Sequence, residues 1–172
     1  MKISASIYSA EDAELGSLLR ELDAYQGDFF HIDCKDNPSV FDDIRKIREL
    51  SSTPIELHLI SENPENYYDL IRKSGVASVT FQYEDLNRKI DIPDDLNCEC
   101  GIAIMTETDI SVFNDYADKV NHILFMATTP GVSGESFQKE NFRKISTFRS
   151  KYPDKRIHVD GGINADLSFI LR

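Results

Sequence analysis

The chain has 172 residues, 41 % of them apolar and 28 % charged, which suits one soluble domain with a sizeable core. Its net charge of −11 excludes a phosphate-gripping nucleic-acid binder and argues against an anionic membrane surface. No apolar run approaches the length of a membrane span, and the alternating start Met1 to Ile7 does not read as a signal peptide.

Strand-like and helix-like stretches alternate along the sequence. The first strand is predicted at about Lys2–Tyr8. Ser9 and Asp12 resemble a capping box for a helix carrying Leu15, Leu18, Leu19 and Leu22 at helical spacing, ended by Gly27. A strand at about Asp28–Asp33 follows. Pro38 then opens a helix with Val40, Phe41, Ile44, Ile47 and Leu50 on one side. The third strand is Ile55–Ile60, and Pro64 marks the first turn of a helix closed by Gly75. Val76–Phe81 reads as the fourth strand. The polar stretch Tyr83–Asn97 holds at most a short helix.

Gly101–Met105 is the fifth strand, Thr108–Tyr116 a helix, and His122–Met126 the sixth strand. A helix over about Phe137–Arg149, a seventh strand Arg156–Asp160 and a helix capped by Asn164 complete the chain. Buried strands separated by helical connections imply a parallel sheet with helices outside it. No Gly-x-Gly-x-x-Gly follows the first strand, so a dinucleotide fold is disfavoured.

Chemistry-bearing residues cluster at the C-terminal ends of the strands, where barrels and open α/β sheets keep their sites. In His31-Ile32-Asp33-Cys34-Lys35-Asp36, alternation puts His31, Asp33 and Lys35 on one face. An imidazole, a carboxylate and an ammonium at a buried strand end require partners. His58 and Asp160 stand at two other strand ends, and Thr128 to Gly134 forms a loop with bare backbone. A lone strand-end histidine is ordinarily structural; two with two aspartates shift the reading toward a metal site. His122 and His158 are read as structural, Tyr67 and Tyr68 as helix surface and core, and Asp42-Asp43 and Asp94-Asp95 as solvated. Cys34, Cys98 and Cys100 are odd in number and contain no Cys-x-x-Cys pair, which predicts reduced thiols and a cytoplasmic protein.

Lys2 to Ile7, His31-Ile32-Asp33, Leu57-His58-Leu59 with Glu62-Asn63-Pro64-Glu65, Thr129-Pro130-Gly131 through Gly134 to Ser136-Phe137, and Val159 to Asn164 together resemble the ribulose-phosphate 3-epimerase family. The resemblance runs in register from residue 2 to the end. It implies a (β/α)8 TIM-barrel fold that binds one divalent metal (zinc, iron, manganese or cobalt) and epimerises a ketopentose phosphate at C3. Carried over by position, His31, Asp33, His58 and Asp160 would hold the metal, with Asp33 and Asp160 as the acid–base pair. Ser6, Lys35, Met126, the Gly131-Val132-Ser133-Gly134 loop, Gly161 and Gly162 would contact the substrate, the glycines through backbone N–H groups to its phosphate. The partners implied are a phosphorylated sugar and further copies of the same chain.

The sequence departs from the family pattern at several points. Lys35 and Ile60 replace methionines that cover the substrate, and most of the loop after the second strand is gone. Gln82 replaces a histidine, and Met105 an asparagine. Seven β/α units are present, and the eighth strand with its Gly-Ser phosphate loop is absent. One barrel domain over residues 1–172, shortened at the C-terminus, is therefore expected. It is either part of a longer protein or a short relative that shields its sheet edges by oligomerising. Two other readings remain: a non-catalytic relative binding a sugar phosphate or a protein partner, and an Asp-x-Lys decarboxylase-type barrel enzyme built on Asp33 and Lys35. In the latter the next expected aspartate would fall on Pro38.

Overall fold

The computed structural model describes residues 1–9, 14–130 and 135–170. Seven strands among them lie in one sheet in the order β1-β2-β3-β4-β5-β6-β7. They are Ser4–Ser6 (β1), Phe29–Lys35 (β2), Ile55–Ile60 (β3), Ser78–Gln82 (β4), Glu99–Met105 (β5), His122–Met126 (β6) and Arg156–Asp160 (β7). The pairs β1–β2, β2–β3, β5–β6 and β6–β7 are parallel. Consecutive parallel neighbours are the TIM-barrel arrangement, in which each crossover returns the chain beside its last strand.

The α-helices are Leu15–Ala24 (α1), Val40–Leu50 (α2), Tyr68–Ser74 (α3), Glu140–Lys151 (α4) and Ala165–Ile170 (α5). One crossover holds no more than the short helix expected of it, and one differs from its predicted helix. Between β4 and β5 the described backbone has only a short 3-10 turn, Tyr83–Asp85, and the connection buries Ile90, Ile92 and Leu96 instead of a helix face. Between β5 and β6 the predicted helix is a 3-10 helix, Ile110–Asp115. Asp109 caps it through a bond from the Ser111 N–H (2.8 Å).

The start of α1 also differs. Ser9 ends a 3-10 turn, Ile7–Ser9, and Asp12 lies outside the described residues. The cap is Glu14, whose carboxylate accepts the N–H groups of Gly16 (3.0 Å) and Ser17 (2.8 Å). The Ser17 hydroxyl, donating to it at 2.9 Å, together with those N–H groups holds its carboxyl below the usual range. At the other end Tyr25 is the C-cap, and Gln26 takes the left-handed conformation expected of Gly27. The cap at Asn164 is present: its Oδ1 accepts the Leu167 N–H at 3.0 Å.

The chain divides into two compact units, Met1–Val79 with Asp85–Glu99, and Thr80–Glu84 with Cys100–Arg172. In the first, β2 and β3 bury Phe30, Ile32, Cys34, Ile55, Leu57 and Leu59 on one face. As the alternation predicts, His31 and Asp33 lie on the other face, with Glu56 and His58 of β3 beside them. α2 contributes Val40, Phe41, Ile44 and Ile47, its buried stripe. The 85–99 crossover is fastened within this unit. Arg72 bonds Asp95 (2.9 Å), Arg88 bonds Glu65 (3.1 Å), and the Tyr68 hydroxyl donates to the Asp91 carbonyl (2.9 Å). Asp95, expected to be merely solvated, is thus an anchor, and Arg72 holds its carboxyl below the ordinary range.

The second unit packs around aromatic rings. Phe113 and Phe148 meet edge-to-face at 4.8 Å, and Phe148 meets Phe125 the same way at 5.8 Å. All three are fully buried, so the 3-10 helix carrying Phe113 supplies the apolar anchor that an α-helix supplies elsewhere. All three cysteines are free thiols. Among the described residues no helix is long and apolar enough to cross a membrane.

Candidate functional site

The register of β2 on β3 decides what meets at their C-terminal ends. Asp33 pairs with His58, His31 with Glu56, and Lys35 with Ile60, while Ser6 on β1 pairs with His31. Side chains paired in register share a face, as do alternate residues of one strand. Ser6, His31, Asp33, Lys35 and His58 therefore share one face, opposite the apolar face of the same strands.

On that face both imidazoles converge on one carboxylate oxygen. His58 Nδ1 lies 3.0 Å from Asp33 Oδ1, and His31 Nε2 lies 3.3 Å from the same atom. His58 is fully buried, and the side chains of His31 and Asp33 are only 12 % and 16 % exposed. Burial alone would favour the neutral acid. The hydrogen bonds and nearby charge of His31 and His58 outweigh it and hold the Asp33 carboxyl well below the usual carboxylate range.

One ligand atom from each of His31, Asp33 and His58 lies within 4.8 Å of the others. Two imidazole nitrogens and a carboxylate oxygen form a donor set for zinc, iron, manganese or cobalt. With bonds of about 2.0–2.1 Å, neighbouring ligands of a tetrahedral ion lie about 3.3 Å apart. The observed 3.0 and 3.3 Å separations match that spacing, so the residues present fit a small divalent cation.

Beyond this row, Lys35 is exposed, and β2 extends far enough to put it on the His31 and Asp33 face. Asp36 takes the left-handed conformation (φ 47°). Its Oδ1 accepts the hydroxyls of Ser61 (2.7 Å) and Tyr67 (2.9 Å), two partners not foreseen from the sequence. Tyr67 is buried, and burial together with Asp36 pushes its phenol up. The available signal was an aspartate directly after a strand, a residue type that tolerates left-handed backbone.

The other expected site residues belong to the second unit. Met126 and Asp160 are register partners at the ends of β6 and β7, and the Ala127 N–H donates to the Asp160 carbonyl at 2.7 Å. Gly161 (φ 100°) and Gly162 (φ 66°) follow. A Cβ on Gly161 would overlap the Thr128 side chain, and one on Gly162 the Phe137 backbone, so both positions require glycine. Gly131, Val132, Ser133 and Gly134 lie outside the described residues.

Gln82, expected as a departure, is fully buried and donates to Glu84, which also accepts the Met105 N–H (2.8 Å) and the Thr108 hydroxyl. His122 and His158, read as structural, pair with each other in the second unit. Their rings stack at 4.3 Å, and His122 Nε2 lies 2.8 Å from Thr80 Oγ1. Desolvation, helped by His158 and Arg156, pushes the His122 imidazole down to about 2. A Cβ at Gly101 would collide with the His122 ring, which explains the bare backbone there.

A parallel sheet in sequential order with a histidine–aspartate–histidine cluster at its strand ends defines an α/β barrel-type protein with a metal-competent site. The chain matches the Ribulose-phosphate 3 epimerase family over residues 2–170 and belongs to that family. It is 26 % identical over 175 residues to a ribulose-phosphate 3-epimerase of Schizosaccharomyces pombe, covering 95 % of this chain and 77 % of the relative. It is 26 % identical over 183 residues to the ribulose-phosphate 3-epimerase of Bacillus subtilis, covering 96 % and 83 %. Among solved structures it is similar in fold to a mutant tryptophan synthase α-subunit from Pyrococcus furiosus. The TM-score is 0.58 at 15 % identity, over 99 % of this chain and 81 % of that one.

Proposed function

We propose that this protein is a pentose-phosphate epimerase, inverting C3 of a phosphorylated ketopentose with one divalent cation held by His31, Asp33 and His58; Asp160 is a ligand only as the family resemblance implies. The observation that carries the reading is the convergence of His31 and His58 on Asp33 Oδ1. Membership of the family and the names of its relatives supply the substrate class.

The reaction removes a proton beside a carbonyl and returns one to the opposite face. A bound divalent cation would supply positive charge to the two oxygens that become an enediolate. The protein supplies the proton acceptor and donor. The resemblance assigns Asp33 the base role: His31 and His58 keep it ionised and able to accept a proton despite its burial, and by holding its carboxyl low they also weaken it as a base. Asp160 is assigned the opposite role, so that one carboxyl gains a proton as the other loses it. Ser6 and Met126 stand on the strand faces that carry Asp33 and Asp160 respectively, where they would pack against the sugar. Gly161 and Gly162, with the Gly131–Gly134 loop, would give N–H groups to the phosphate. Lys35 would contact the substrate from the solvent side. The proposed assembly is a homo-oligomer.

The test is solvent deuterium incorporation at C3 of ribulose 5-phosphate, followed by NMR with zinc or manganese added. We expect exchange well above the buffer rate in the parent and none above it in Asp33→Asn. A parent protein that binds the metal yet exchanges no deuterium would overturn the proposal.

A further inference from the structure

The Asp33–His58 rung lies two pairs short of the end of the β2–β3 ladder, whose last pair is Lys35 and Ile60. Parallel strands diverge where their ladder ends, and ligand atoms on the nearest rung of the same face would diverge with them. Here the end is closed by a single residue. The Asp36 N–H donates to the Ile60 carbonyl at 3.0 Å, adding one bond past the last pair. Its left-handed backbone then turns the chain, and its carboxylate comes to the β3 side. Oδ1 accepts the hydroxyl of Ser61, the residue directly after β3, and that of Tyr67 in the following 3-10 helix, Pro64–Tyr67.

Both partners are themselves fixed. Ser61 Oγ also accepts the Asn63 N–H at 3.2 Å, and the Tyr67 ring stacks on Phe41 of α2 at 6.2 Å. Asp36 thus ties the end of β2 to the end of β3, to the start of the next connection and, through Phe41, to α2. Asp33 lies three residues before Asp36, and His58 three residues before Ser61, so the tie sits symmetrically above the pair that shares a hydrogen bond.

We propose that Asp36 is a positioning residue. Through Ser61 and Tyr67 it holds Asp33 and His58 at ligating separation, and so sets the affinity of the site for its cation. This deepens the metal-site reading above and rests on it. The role needs an acceptor at Oδ1 and a left-handed backbone, and does not need the negative charge. Asparagine satisfies both requirements, glycine only the second.

The experiment compares Asp36→Asn, Asp36→Gly and Tyr67→Phe with the parent by two readouts. One is the zinc dissociation constant from competition with a chelating dye. The other is the imidazole NMR signal of His58 in metal-free protein, which reports its hydrogen bond to Asp33. Outer partners of metal ligands change affinity by about 10–100-fold, and Asp36 acts one step further out, so about tenfold is expected. Asp36→Gly should lose about tenfold in zinc affinity and shift or broaden the His58 signal. Tyr67→Phe should follow partway, and Asp36→Asn should keep both properties. Equal zinc affinity and an unmoved His58 signal in Asp36→Gly, with the protein folded, would overturn the proposal. Loss in Asp36→Asn equal to that in Asp36→Gly would also overturn it, since charge rather than acceptor geometry would then be at work. If the parent binds no zinc, the metal reading fails, while the His58 signal still decides whether Asp36 positions that ring.

Discussion

Lys35 carries a charge where the resemblance leads one to expect a methionine. It is exposed, and it lies two positions past Asp33 on the same face of β2. Alternate residues of a strand are about 6.6 Å apart. At that distance a unit charge and a divalent cation in water interact by about 1.3 kcal/mol. Lys35→Met should therefore raise zinc or manganese affinity by about eightfold at most, and should leave or improve C3 proton exchange. Loss of exchange with metal still bound would show that Lys35 performs chemistry instead.

His122 makes a second prediction at this scale, through pH. The folded protein keeps its imidazole neutral because burial, with His158 and Arg156 nearby, pushes its pKa down to about 2. The unfolded chain takes up a proton near the ordinary value of about 6.5. The unfolded state thus binds more protons below about pH 6.5, so stability is full above that pH and falls as the pH is lowered. The slope from this group approaches about 1.4 kcal/mol per pH unit below pH 5.5. Urea midpoints of the parent and of His122→Gln between pH 7 and 5 would check it; the variant should have the flatter profile.

At the scale of elements, the strands were legible and the crossovers only in part. β3, β6 and β7 have the boundaries read from the sequence, because buried runs flanked by Pro, Gly and polar residues leave little choice. The connections depend on what they must bury. The 85–99 stretch lacks helical periodicity, yet it buries Ile90, Ile92 and Leu96 as a helix would. Ile92→Ala should accordingly cost about 2–5 kcal/mol, as for a core isoleucine. Denaturant unfolding would show it; a change below about 0.5 kcal/mol would mean that the crossover is not part of the core. The clamp at Asp36 was equally hidden, because Ser61 and Tyr67 are 25 and 31 residues away in sequence.

For the whole molecule, a cation that binds only the folded state adds stability by mass action. At a free concentration one hundred times its dissociation constant, that contribution is about 2.7 kcal/mol. Zinc or manganese added to chelator-treated protein should therefore raise the melting temperature, and Asp33→Asn should abolish the shift. An identical shift in parent and variant would place the binding elsewhere on a surface whose net charge is −11.

The sequence by itself determined the strand positions, the face alternation of His31, Asp33 and Lys35, and the family. Each of these depends on local spacing or on residue identity in register. The tertiary structure decided the rest. It brought His58 onto the same oxygen of Asp33 that His31 reaches, and turned Asp36 toward Ser61 and Tyr67. It replaced the helix expected between β5 and β6 by a 3-10 helix. These outcomes depend on the register between strands and on which apolar side chains fill a shared core, and both are long-range quantities. Local propensity cannot encode them, because the same residues at the same spacing would satisfy it with β3 slipped along β2, and only the packed sheet excludes that slip.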